Sequence, residues 1–125
     1  MSGHGTKRIG ALIKSGSYGD LRVWLAAADR TALAKDWQRL EPLHKLIAFK
    51  LMDAASALAF YRLLPYKEKY FLFSGFPLQS IAPVIAEAPA SVRRLFVRLP
   101  ADSYEAMLRE LTRDAANVKF QDLTP

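Results

Sequence analysis

Residues 63–100 read LLPYKEKYFLFSGFPLQSIAPVIAEAPASVRRLFVRLP, punctuated by Pro65, Pro77, Pro89 and Pro100 at intervals of 12, 12 and 11 residues. Proline inside a helix deletes a hydrogen bond and clashes with the preceding turn, but in the first turn its missing N–H has no intrahelical partner. Prolines this regular, each opening an apolar run, therefore mark successive helix starts. Working upstream, Pro42 and Asp53 extend the series. The segments become PLHKLIAFKLM (42–52), DAASALAFYRLL (53–64), PYKEKYFLFSGF (65–76), PLQSIAPVIAEA (77–88), PASVRRLFVRL (89–99) and PADSYEAMLREL (100–111). Aspartate suits the same boundary as an N-cap or first-turn anion.

Apolar spacing within the segments is helical. Val92, Leu95, Phe96 and Leu99 follow i, i+3, i+4, i+7, and so do Tyr104, Met107, Leu108 and Leu111. Leu78, Ile81, Ile85 and Ala88 share one face as well. Each rod is about 17 Å long at 1.5 Å per residue, too short to persist alone. Short amphipathic helices joined almost without linkers predict an all-α hairpin repeat in which each rod leans on its neighbours. A non-repetitive bundle with proline caps is the alternative. Pro83 shifts the fourth helix start toward Ser80, and Gly75 ends the third.

Upstream, Ile9, Leu12 and Ile13 form a weak apolar face before the turn SGSYG. Asp20 is expected to cap a helix carrying Leu21, Trp24 and Leu25, and Thr31–Leu40 to form another with Leu33 and Trp37. Five of the six glycines fall in residues 1–19, so residues 1–5 are expected to be a flexible tail. The apolar register fades after Leu111, which sets the expected domain at 6–116 and a second tail at 117–125.

Composition narrows the function classes. A chain of 125 residues, half apolar and a quarter charged, is of single-domain size with ordinary globular balance. The absence of cysteine removes disulfides, thiolate metal sites and a cysteine nucleophile. The longest uncharged stretch, residues 70–86, carries a glycine and two prolines, so no membrane span is expected, and the N-terminus lacks a signal-peptide core. A cytoplasmic location is the expectation. The net charge of +6 is concentrated upstream, with seven Lys/Arg against three acids in residues 1–40 and eleven against nine beyond.

The opening IGALIKSGSYGDL and the leucine-rich segments ending in LLP or RLP resemble the cytoplasmic N-terminal domain of MgtE-type magnesium transporters. The resemblance spans roughly residues 9–111 and implies a right-handed superhelix of short helical hairpins, armadillo-like and distantly akin to FliG repeats. It also implies a magnesium-sensing role, which the residues do not carry over. The transporter's repeats hold acids for the cation, whereas PASVRRLFVRL has Arg93, Arg94 and Arg98 and no acid. Magnesium takes carboxylate and water oxygens. Asp102, Glu105, Glu110 and Asp114 sit among Arg109 and Arg113 and read as helix-start anions and surface pairs.

Three surfaces are candidates for binding. Tyr66, Tyr70 and Phe73 share one stripe of an aromatic helix, which is either buried on several sides or meets a partner. Arg94 and Arg98 stand at i, i+4 beside Arg93, either a solvated face or a dock for acidic protein or phosphate, extended by Lys67 and Lys69. Lys7, Arg8 and Lys14, among glycines, are either a solubilising segment or a grip on nucleic acid or lipid headgroups. His4 and His44 are the only histidines, and no spacing selects a nucleophile–base pair or a metal motif. No catalytic, cofactor-binding or metal residue is assigned. The expected function is a non-catalytic module that binds another protein or a second copy of itself. The alternatives are magnesium-linked regulation of ion transport and, after it, weak nucleic-acid binding.

Overall fold

Helices begin where the boundary residues stand. The computed structural model describes residues 4–74, 90 and 100–123, and every element among them is helical. In order they are α1 (His4–Lys14), α2 (Tyr18–Ala27), α3 (Arg30–Asp36), a 3-10 turn (Trp37–Arg39), α4 (Pro42–Leu51), α5 (Ala54–Tyr61), α6 (Tyr66–Ser74) and α7 (Ala101–Leu123). The helices expected to start at Pro77 and Pro89 lie outside the described residues.

Three boundary prolines and one aspartate can be followed atom by atom. Pro42 occupies the first turn of α4. Pro65 and Pro100 stand just ahead of their helices, and their carbonyls accept the first helical bonds, from Glu68 and Lys69 in one case and Tyr104 in the other. Asp53 caps α5: its carboxylate accepts the Ser56 backbone N–H at 2.9 Å and the Ser56 hydroxyl at 2.8 Å. Asp29 caps α3 through the Thr31 N–H.

The SGSYG turn ends α1 with two bonds, Gly16 N–H to Ile13 O and Ser17 N–H to Leu12 O. That pairing needs a left-handed residue, and Gly16 supplies it at φ 71°. Ser17, rather than the expected Asp20, opens α2: its carbonyl accepts Leu21 N–H, and Asp20 lies in the first turn.

Packing follows chain order and then skips. α1 contacts α2, and beyond that α1 meets α3, α2 meets α4, α3 meets α5 and α4 meets α6. α1 also reaches α4, and α5 and α6 both lie against α7. The core these contacts enclose centres on α4, where Leu46, Ile47, Ala48, Phe49 and Leu51 are all buried. Ile9, Leu21, Leu33 and Trp37 close it from the N-terminal side, and Phe60, Tyr61, Leu72 and Met107 from the other. Trp37 meets Phe60 edge-on with ring centres 4.7 Å apart, and its indole N–H has no acceptor among the described residues.

Both ends differ from expectation. α1 starts at His4, inside the stretch expected to be a free tail, and the Trp24 ring lies close enough to Gly5 that an added methyl would come within 3.4 Å. At the other end the expected short helix at 100–111 is a single helix of 23 residues, about 35 Å long. Its inward stripe is Met107, Glu110, Leu111 and Asp114, at i, i+3, i+4, i+7. The stripe continues, but in carboxylates. Leu108, counted on the apolar face, is exposed.

Candidate functional site

α6 is the helix on which the sequence reading placed its aromatic candidates. Its two charged residues in the middle, Glu68 and Lys69, are buried, and the aromatic rings divide around them. Lys45 Nζ on α4 lies 2.7 Å from Glu68 Oε1, an ion pair that lacks hydrogen-bond geometry at that oxygen. Lys69 Nζ turns to α7, 2.5 Å from Asp114 Oδ2 and 3.6 Å from Glu110 Oε2. Each ammonium also faces a ring: Lys45 that of Phe71 at 5.7 Å and Lys69 that of Tyr61 at 5.8 Å. Such cation–π contacts contribute about 0.5–2 kcal/mol, more where water is excluded.

Lys69 is therefore a structural cation and does not extend a surface arginine patch. Glu110 and Asp114, expected as surface pairs, are inter-helix ties instead. Glu110 also receives Arg62 Nε at 3.5 Å and Arg113 Nη2 at 2.6 Å. These acids are committed to cations, and among the described residues no group of three His, Asp or Glu side chains gathers as a metal site requires.

With its middle anchored, α6 leaves one side outward. Tyr66 and Tyr70 stack one turn apart with ring centres 6.1 Å apart, and Tyr70 is 55% exposed. Leu63, just before the helix, is 48% exposed, and Lys67 between the tyrosines is exposed too. Phe73 leaves this group. The far end of α6 is covered by α7, and Phe73 packs on Tyr104 with centres 4.7 Å apart. The expected stripe of Tyr66, Tyr70 and Phe73 thus splits into an exposed Tyr70, a half-buried Tyr66 beside it and a packed Phe73. Arg93, Arg94 and Arg98 lie outside the described residues.

Tyr61 fastens the same seam, donating its hydroxyl to the Met107 carbonyl at 2.9 Å. Burial raises its pKa above the usual phenol range, and the carboxylates of Asp114 and Glu110 push the same way. Asp53 is shifted down, chiefly by the Ser56 backbone N–H and then by the Ser56 hydroxyl.

Away from α6, Lys7 and Lys14 on α1 line one groove with Arg39 and His44. Sequence distance hid that grouping. No helix among the described residues is long and apolar enough to cross a membrane. No family model, curated protein or solved structure matches the chain.

Proposed function

We propose that the protein is a non-catalytic docking module in which the outer side of α6 receives an acidic segment of another protein. The observation that carries this reading is Tyr70, exposed on a helix whose interior charges pin it in place, with Tyr66 stacked behind it and Leu63 beside it. Rigid aromatic side chains give a large contact area for little entropy, which is why they anchor interfaces. Lys67, exposed between the two tyrosines, and a chain charge of +6 select for an acidic partner and against a second copy of the same basic chain.

The alternation in which each of α1 to α4 packs on the helix two further along supports a hairpin-repeat scaffold behind this surface. A right-handed superhelix like that of the MgtE N-terminal domain is the proposed form, in the cytoplasm. Scaffolds of that kind offer side chains from successive helices to one partner.

A photo-crosslinking residue installed at position 70 tests the proposal, with the same residue at Val23, 70% exposed on α2, as control. An adduct with an acidic protein from position 70 and none from position 23 is the expected result. Equal labelling from both positions, or an adduct of the chain with itself, overturns it.

A further inference from the structure

A second feature, with a lining that shares no residue with the outer side of α6, lies along α1. α1 and the corner formed by the 3-10 turn and the start of α4 line a shallow, open groove of about 410 Å³. Its floor on the α1 side is small, Gly10 and Ala11, flanked by Lys7 and Lys14. Arg39 and His44 stand on the other wall. Lys7, Lys14 and Arg39 are exposed, and no described acid forms an ion pair with any of them. Among the described residues Glu41 is the one carboxylate at the groove, and it turns to His44, 3.6 Å from Nε2. Three cations thus line one surface, and none of them is paired with an acid among the described residues.

We infer that this groove is a binding site for an oligophosphate anion spanning Lys7 to Lys14. Lys14 stands seven positions after Lys7 on the helix, about 10.5 Å along the axis. A single phosphate fills the reach of one of them, whereas a chain of linked phosphoryl groups meets both and still presents oxygens to Arg39. Lysine supplies point charges at the two ends, and the arginine fork binds two oxygens at once. On the α1 side the floor between the lysines is low, since Gly10 and Ala11 carry at most a methyl, and the His44 ring packs in van der Waals reach of Gly10 as the facing wall.

The same lining argues against a nucleic-acid strand. Among the described residues no Phe, Tyr or Trp lines the groove to stack a base. Arg8, which would lengthen the basic track, sits about 100° around α1 from Lys7 and does not line it. A nucleotide's phosphate tail, free polyphosphate and a polyphosphorylated lipid headgroup share the chemistry the groove recognises.

The test is an amide NMR titration of the full chain with inorganic tripolyphosphate, with orthophosphate at matched ionic strength as reference. Saturable shifts confined to residues 6–14 and 39–44, with tripolyphosphate binding about tenfold more tightly than orthophosphate, are expected. The double variant Lys7→Gln/Lys14→Gln should weaken binding about tenfold or more, while Lys67→Gln on α6 leaves it unchanged. All three lysines are exposed, so the variants should keep the fold, which circular dichroism checks. ATP and vesicles carrying a bisphosphorylated inositol lipid, run in parallel, identify the source of the phosphate chain. Diffuse shifts, equal weakening by Lys67→Gln, binding to vesicles but not to tripolyphosphate, or tighter binding of an oligothymidylate each overturn the inference.

Discussion

Lys69 Nζ and Asp114 Oδ2 meet at 2.5 Å across 45 residues of chain, in a position where the lysine is only 5% exposed. The pair ties α6 to α7 at the point where apolar contact between them gives way. Removing one partner from a buried pair typically costs 3–5 kcal/mol, because the other charge is stranded. Here the acids keep some access to water and Glu110 has two arginines, so Lys69→Met is expected to cost less, about 2 kcal/mol. Adding Asp114→Leu should recover most of that loss. Urea unfolding of both variants checks this, and a neutral Lys69→Met would mean that the pair is ornamental.

Tyr61 makes the neighbouring tie, and its loss should depend on pH. Tyr61→Phe removes one hydrogen bond to a carbonyl within α7, a cost of about 1 kcal/mol near neutrality. The folded phenol has a raised pKa, so its contribution is complete below the unfolded value near 10 and drains away as pH rises past it. The difference between wild type and Tyr61→Phe should therefore narrow above about pH 10. Thermal unfolding at pH 7 and pH 10.5 measures it.

Asp53 should show the opposite dependence. Its folded pKa is lowered, so the stability it adds is present above the unfolded value near 3.9 and is lost as pH falls through the folded one. Asp53→Ala should cost about 1 kcal/mol at pH 7. Asp53→Asn, which keeps a capping oxygen, should cost less and should lack the acid-dependent loss. Parallel unfolding curves at pH 7 and pH 2.5 separate the two variants.

Two glycines, one within α1 and one in the turn that ends it, should respond with opposite signs. Gly10 lies within the helix, and a methyl there would meet only the His44 ring at 3.8 Å, ordinary contact. Gly10→Ala is expected to stabilise by about 0.5–1 kcal/mol through helix propensity. Gly16 is left-handed, and Gly16→Ala should destabilise by about 1–2 kcal/mol although space is open around it. Melting temperatures of the two variants should straddle that of the parent.

Helix starts were legible because proline and aspartate act through the backbone, within a residue or two of themselves. Pro42, Asp53, Pro65 and Pro100 each stand at the beginning of a helix. The turn at Gly16 was legible for the same reason. The length of α7 was not, because its inward stripe continues past Leu111 in Asp114, and a carboxylate facing a buried lysine is indistinguishable in sequence from one facing water. The same ambiguity made Lys69 look like a surface cation. Ser17 and Asp20 both suit a helix start, and only the backbone bond to Leu21 separates them. Of the candidate sites, helical spacing put Tyr66, Tyr70 and Phe73 on one stripe, but it could not tell that Tyr70 stands exposed while Phe73 is packed against α7. The groove could not be read from spacing, since Arg39 and His44 join Lys7 and Lys14 only after folding.

Glu68 and Lys69 are adjacent in sequence, yet one answers to α4 and the other to α7. The order of those two letters is thus an address. A chain with the letters exchanged would have the same composition, net charge and helix propensity, but would set lysine against Lys45 and glutamate against Asp114. The dipeptide tells α6 which of its flanks belongs to which neighbour, information that no hydropathy profile contains.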